Sequence, residues 1–278
     1  MRHLTCLIVT GFAIAVGRQF CPCQAAQPIP IAHRGLLRHA PENTLPAFAA
    51  CVELGMGFEL DIRTTKDGHL VVLHDDNVKR TTNGQARSVR DMTLAELKKL
   101  DAGSWFDEAF AGERIPTLDE TLSLVARRKR GRTIIALNVK HVTRDGEAKL
   151  VALVEKYKLL NDSFAFDQSD EVSRRLKKLN PDFLIGQNVN RQSVDTRLKE
   201  GLLDYFLLTA PPTVEEVSRL HSHGKQVLFN YAGSGEVRRN SETWKRVAAA
   251  GIDGLLTDYP LECRTIWRTI PNGEPQEK

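Results

Sequence analysis

Long apolar runs are scarce in this 278-residue chain, and an uncleaved N-terminal anchor is the alternative to a cleaved leader. The longest mostly apolar run is Leu4–Val16, LTCLIVTGFAIAV, short of the roughly 20 residues that a bilayer crossing needs. Charge of one sign is scarce as well: 39 lysines and arginines face 35 acidic residues, a formal net charge of +4. That excludes the broad basic face of a nucleic-acid binder. The one basic cluster, Ala126–Arg132, reads as a solvated helix end. Cysteine is limited to five, and Cys6, Cys21 and Cys23 sit near the N-terminus, so no disulfide framework is in prospect. Cys51 lies in an apolar helical stretch and reads as a small buried residue. A pairing of Cys51 with Cys263 stays open for an exported chain. No glycine-rich phosphate loop follows the first strand, and no low-complexity linker divides the chain.

What is present begins with a leader. Arg2, the apolar Leu4–Val16 and the small residues of CQAA form the pattern of a secretory signal peptide, with cleavage expected near Ala25 or Ala26. The expected organisation is a signal peptide over 1–26, one folded domain over 27–267 and a disordered tail over 268–278. The mature chain is expected outside the cytoplasm, periplasmic or secreted, with no stable membrane anchor.

Along the folded part, strand-like apolar runs alternate with amphipathic helical stretches. Eight strand-then-helix units begin at Ile31, Phe58, Thr133, Ser163, Phe183, Tyr205, Gln226 and Gly254. Asn43 is a candidate N-cap for the helix over 44–54, and Thr117 with Glu120 fits a capping box. An extra strand, His69–Asp75, follows the turn signal Lys66-Asp67-Gly68 as a hairpin insert after strand two. Eight such units in about 250 residues match a single (β/α)₈ TIM barrel of the α/β class. The competing architecture is an open doubly wound sheet.

In a barrel, chemistry gathers where strands end. His33 and Arg34 close the first strand. Glu59 and Asp61 are two apart on the second, so alternation puts both on one face. Two carboxylates on one face repel unless positive charge lies between them. A divalent cation supplies it, and hard oxygen ligands favour Mg²⁺ or Ca²⁺. The alternative is a solvated acidic pair or an ion pair with Arg63. If Thr65 faces His69 in the hairpin, His74 returns opposite Leu60, beside the carboxylates. His33 and His74 then make an acid/base pair around a Lewis acid. Arg34 and Lys140 add positive charge suited to a phosphate. The constellation is that of a metal-assisted phosphodiester site acting on a small molecule.

The stretches AHRG, PENT, ELDIRTTKDGHLVVLHD, RTTNG, IPTLDE and GIDGLLTDYP together resemble the glycerophosphodiester phosphodiesterase family over about Ile29–Pro260. The resemblance implies a barrel, a divalent cation, and hydrolysis of glycerophosphodiesters to an alcohol and glycerol 3-phosphate. It implies acid/base roles for His33 and His74, metal ligation by Glu59 and Asp61, and phosphate contact by Arg34. Glu42, of PENT, is a further site candidate on the same ground. Two departures stand out. Where members carry a third acidic ligand on the next barrel strand, this chain has Asn138, whose amide oxygen can still bind a hard cation but brings no charge. Where an aromatic wall is usual on the seventh strand, Asn230 and Tyr231-Ala232-Gly233 stand instead. Two alternatives therefore remain: a non-catalytic binding protein on the same barrel, or a lyase that leaves a cyclic phosphate.

Overall fold

Parallel strands covered by helices must be apolar on both faces, and the apolar runs of this chain fold that way. The computed structural model describes residues 27–233 and 236–269. In chain order the elements are β1 (Ile29–Ala32), α1 (Leu45–Glu53), β2 (Gly57–Thr64), β3 (Leu70–Val72), α2 (Leu94–Leu97) and α3 (Leu118–Arg128). Then come β4 (Ile135–His141), α4 (Arg144–Lys156), β5 (Ser163–Phe166), α5 (Asp170–Leu179), β6 (Leu184–Val189) and α6 (Val194–Glu200). The last of the described elements are β7 (Tyr205–Leu208), α7 (Val214–Ser222), β8 (Gln226–Tyr231), α8 (Ser241–Ala249), β9 (Gly254–Thr257) and α9 (Pro260–Arg268).

Among the described residues, eight of the nine strands form a closed parallel ring. β1 pairs with β2 through Ile31 and Gly57 and with β9 through Ile29 and Gly254, so the first strand meets the last. This closure rules out the open sheet and makes the fold a TIM barrel. β3 is the ninth strand. It lies antiparallel on β2, with Ile62 opposite Val72 and Thr64 opposite Leu70. Thr65 N–H donates to the His69 carbonyl, so the hairpin register is the expected one. The hairpin opens into a longer excursion before α3, with its own small core of Val71, Leu73, Val78, Val89, Met92, Leu97, Ala102 and Ile115.

Inside the barrel, Ile31, Ala136, Phe164, Tyr205, Leu207, Leu228 and Leu256 pack together. Gly186 on β6 is required there, because a Cβ would come within 2.6 Å of the Phe164 ring. A second, larger core fills the layer between strands and helices. Cys51 and Cys263 are both buried in it as free thiols. α3 starts with the predicted capping box of Thr117 and Glu120. α1 departs from expectation: its N-cap is Thr44, and Asn43 caps nothing. Asn43 instead takes a left-handed φ of 58° and turns its amide toward β2. The C-terminal helix runs through Arg268, into the segment assigned to the tail. The signal peptide over 1–26 and the remainder of the tail over 270–278 lie outside the described residues. Among the described residues no helix is long and apolar enough to cross a membrane.

Candidate active site

The C-terminal ends of β1, β2, β4 and β9 carry the polar cluster. His33 follows β1 directly, and its N–H donates to the Thr257 carbonyl at 3.1 Å. Barrel closure sets it beside Asp258, 225 positions away in sequence: His33 Nδ1 lies 2.7 Å from Asp258 Oδ1. With Nδ1 facing a carboxylate, Nε2 is the nitrogen left for proton exchange. It points to the buried pair, 4.0 Å from Glu59 Oε2. Burial pulls the His33 pKa down, but the Asp258 hydrogen bond and the Glu59 charge outweigh it and hold the pKa above its ordinary value. Burial raises Asp258 in turn, and the bond to His33 more than compensates, leaving its carboxyl below the usual range.

Glu59 and Asp61 share one face of β2, as alternation requires, and both are fully buried (1% and 0% exposed). Glu59 accepts hydrogen bonds from the Arg34 backbone N–H at 2.9 Å and from Asn138 Nδ2 at 3.2 Å. The first of these exists because Arg34 adopts a left-handed φ of 53°, followed by Gly35 at 77°. Gly35 has no room for a side chain, since a Cβ would sit 2.8 Å from that of Ala47. Backbone strain of this kind gathers at functional sites. Burial, and then the neighbouring Asp61, push the Glu59 pKa well above the usual carboxylate range.

Asp61 Oδ2 accepts from Asn43 Nδ2 at 2.8 Å, and Arg34 Nε stands 3.7 Å away. Lys140 Nζ is 3.7 Å from Asp61 Oδ1 and 3.2 Å from Asp167 Oδ2. Asn138 is the register partner of Asp61 across β2 and β4. Arg63 feels the charge of Asp61 but forms its ion pair elsewhere. It donates to the His74 carbonyl and faces Asp76.

Two oxygens in this cluster, Asp61 Oδ1 and Asn138 Oδ1, are buried without a hydrogen-bond partner. Orphaned hard oxygens beside a paired-carboxylate charge fit a hard divalent cation whose remaining ligands come from water or substrate. Glu59, Asp61 and Asn138 are the residues that would hold it. The set contains only two carboxylates, and among the described residues no group of three or more His, Cys, Asp or Glu side chains is arranged to hold a metal.

The remaining candidates surround this centre unequally. Arg34 Nη1 donates to Glu42 Oε1 at 3.0 Å. Burial raises Glu42, but the guanidiniums of Arg80 and Arg34 hold its pKa below the usual value. His74 is where the register puts it, yet its ring does not touch Glu59 or Asp61. Its Nδ1 faces Asp75 Oδ1 at 2.8 Å. The hydrogen bond to the adjacent carboxylate sets the direction of the imidazole. Asn230 belongs to another wall: its Nδ2 donates to Asn188 Oδ1 at 2.7 Å, joining β8 to β6. Sequence reasoning assigned no role to Asp258 or Asp75 and took Asn43 for a cap. Only the adjacency of β9 to β1 could have singled out Asp258.

Comparison with known proteins gives the cluster its context. Residues 33–262 match the glycerophosphoryl diester phosphodiesterase family. A glycerophosphodiester phosphodiesterase of Caldanaerobacter subterraneus subsp. tengcongensis is 38% identical over 239 residues, covering 83% of this chain and 93% of the relative. A Bacillus subtilis glycerophosphodiester phosphodiesterase is 32% identical, with 83% of each chain covered. Among solved structures, a glycerophosphodiester phosphodiesterase from Agrobacterium tumefaciens superposes with a TM-score of 0.72 at 27% identity, over 86% of this chain and 99% of that one. An Oleispira antarctica phosphodiesterase, solved with the product sn-glycerol-3-phosphate, gives 0.71 at 26% identity, over 87% and 98%. With its barrel closed around this polar mouth, the chain belongs to the glycerophosphoryl diester phosphodiesterase family and is an enzyme of the phosphodiesterase class.

Proposed function

We propose that this protein hydrolyses glycerophosphodiesters to an alcohol and glycerol 3-phosphate at the β1–β2–β4–β9 mouth. His33 and His74 serve as the acid/base pair, and Mg²⁺ or Ca²⁺ is held by Glu59, Asp61 and Asn138. The observation that carries the reading is the His33–Asp258 pair set against the buried Glu59–Asp61 couple. An oriented imidazole next to a buried carboxylate couple with an unpaired oxygen is what a charged phosphodiester and a cation together would complete. The product-bound relative supports the same substrate class.

The cation, when bound, supplies charge neutralisation and polarisation of a phosphoryl oxygen. The chain's own groups do the rest. Asp258 fixes the His33 ring with Nε2 toward the carboxylates, where it can pass a proton to or from the reacting oxygens. His74, oriented by Asp75, performs the complementary transfer. Arg34 and Lys140 flank opposite oxygens of Asp61 at 3.7 Å, so a phosphate seated over that carboxylate meets a cation on either side. Glu42 holds the Arg34 guanidinium in place. Asn188 and Asn230 offer amide groups, in place of an aromatic wall, to a polar leaving alcohol. The first 26 residues direct export, which sequencing of the mature N-terminus checks.

The test is phosphorus NMR of glycerophosphocholine incubated with purified protein and Mg²⁺ or Ca²⁺. Glycerol 3-phosphate should accumulate, and a chelator should stop it. A cyclic phosphate as the end product would replace hydrolysis by attack of the substrate's own hydroxyl. No turnover of any glycerophosphodiester with any divalent ion would refute the proposal.

A further inference from the structure

The RTTNG stretch, Arg80–Gly84, has no part in the chemistry above, yet it is tightly built. Thr82 Oγ1 donates to the Val78 carbonyl at 2.6 Å and accepts from Gly84 N–H at 3.0 Å. Asn83 and Asp101 bind reciprocally: Asn83 N–H donates to the Asp101 carbonyl at 3.0 Å, and Asp101 N–H to Asn83 Oδ1 at 2.9 Å. Gly84 lies against Val78 and Leu100, where a Cβ would come within 3.0 and 3.1 Å of their side chains. Val78 is anchored in the small core of the insert. Thr82, Asn83 and Gly84 thus pin the loop that carries Arg80.

The Arg80 guanidinium spans two carboxylates from distant parts of the chain. Its Nη1 and Nη2 donate to Glu42 Oε2 and Oε1 at 2.9 and 2.7 Å. Its Nε and Nη2 donate to Asp75 Oδ2 and Oδ1 at 2.7 and 2.9 Å. Behind each carboxylate stands a group of the proposed site. Asp75 Oδ1 faces His74 Nδ1, and Glu42 Oε1 holds Arg34 Nη1. One planar fork therefore sets the direction of an imidazole and of a guanidinium at once. The side chain of Arg80 is 44% exposed, but its partners Glu42 and Asp75 are only 10% and 25% exposed, and a bidentate network of this kind adds to stability as well as fixing geometry. The double fork locks the two carboxylates in one orientation. Lysine cannot replace it, because a point charge cannot meet four oxygens in one plane.

We propose that Arg80 is a positioning residue: through Asp75 it orients His74, and through Glu42 it orients Arg34, so the insert couples proton transfer to phosphate capture. This rests on the roles proposed above for His74 and Arg34. The experiment compares the metal-loaded wild type with Arg80→Met, Arg80→Lys and, as a control in the same insert, Arg87→Met. Arg87 pairs with Glu96 and the Asp91 carbonyl, away from the site.

One readout is kcat and KM for a glycerophosphodiester. The other is the nitrogen-15 and proton signal of the His74 ring, which needs no turnover. Misdirected reacting groups cost about 10- to 100-fold, so Arg80→Met should lose that much in kcat, raise KM by about 3-fold or more, and broaden the His74 Nδ1–H signal. Arg80→Lys, which keeps the charge and preserves folding, should recover less than half of the loss, while Arg87→Met matches the wild type. The proposal is overturned if Arg80→Lys or Arg80→Met keeps kcat and KM within about 2-fold with the His74 signal unchanged. It is equally overturned if Arg87→Met loses as much as Arg80→Met. If the wild type itself turns over no diester, the functional reading fails, and the His74 signal alone decides whether Arg80 holds the ring.

Discussion

Replacing Asp258 by asparagine removes a charge and leaves the shape. The Gly233 N–H donates to the same oxygen that faces His33, at 3.1 Å, so the asparagine keeps its carbonyl oxygen toward the ring. What changes is the stabilisation of the protonated imidazole. The contact is 2.7 Å long and little exposed, 18% for His33 and 6% for Asp258, so solvent screens it weakly. A hydrogen bond to a charged partner contributes about 1.5–3 kcal/mol and a neutral one about 0.5–1.5. The difference, about 1–1.5 kcal/mol, corresponds to roughly one pH unit. The His33 limb of the kcat profile should therefore move down by about one unit, and kcat near neutrality should fall about 10- to 100-fold, at most the lower end of the roughly 10²–10⁴-fold acid/base contribution. KM should change less than kcat, because Asp258 hydrogen-bonds the His33 ring and the Gly233 N–H rather than Arg34 or Lys140.

Stability follows the same pair. His33 is raised and Asp258 lowered in the folded protein, so the contribution is complete between the unfolded-state values of about 3.9 and 6.5. It fades as pH rises through the His33 pKa and as pH falls through that of Asp258. Asp258→Asn should accordingly cost most stability in mildly acidic buffer and least in alkaline buffer. Melting curves and pH–rate profiles that superimpose on the wild type would refute this reasoning.

Three further predictions concern the frame around this pair. Asn43→Ala removes the amide from buried Asp61 and leaves alanine at a left-handed φ; it should cost about 2–4 kcal/mol, read as a lower midpoint in urea. Asn138→Glu restores a third carboxylate at the orphaned oxygens of β2 and β4, and calorimetry should find Mg²⁺ or Ca²⁺ bound about 10-fold tighter or more; unchanged affinity would dissociate Asn138 from the cation. Gly186→Ala drives a methyl into the Phe164 ring and should destabilise by about 1–3 kcal/mol with KM unchanged.

Much of the fold was legible before any coordinates. The strands begin within two residues of the expected positions, from β1 at Ile29 to β9 at Gly254. Apolar runs and the amphipathic helices between them are local patterns. The hairpin register was legible for the same reason, since a Lys-Asp-Gly turn fixes what lies opposite what. Asn43 was misread because its neighbours look like a helix start. The buried carboxylate that claims its amide is 18 residues away, and a charge without water is the stronger attraction. His74 reached its predicted place in the backbone, but its ring follows Asp75, a choice that register does not govern.

By itself, then, the sequence determined which elements form, which face of each strand holds Glu59 and Asp61, and which residues arrive at the mouth. Only tertiary structure decided how those residues pair: His33 with Asp258 across the barrel seam, Asp61 with Asn43, and Asp75 with Glu42 through Arg80. The division has one cause. Periodicity acts over a few residues and is written in them, whereas a charge taken out of water needs a partner in space, and closing the ring supplies it from anywhere along the chain.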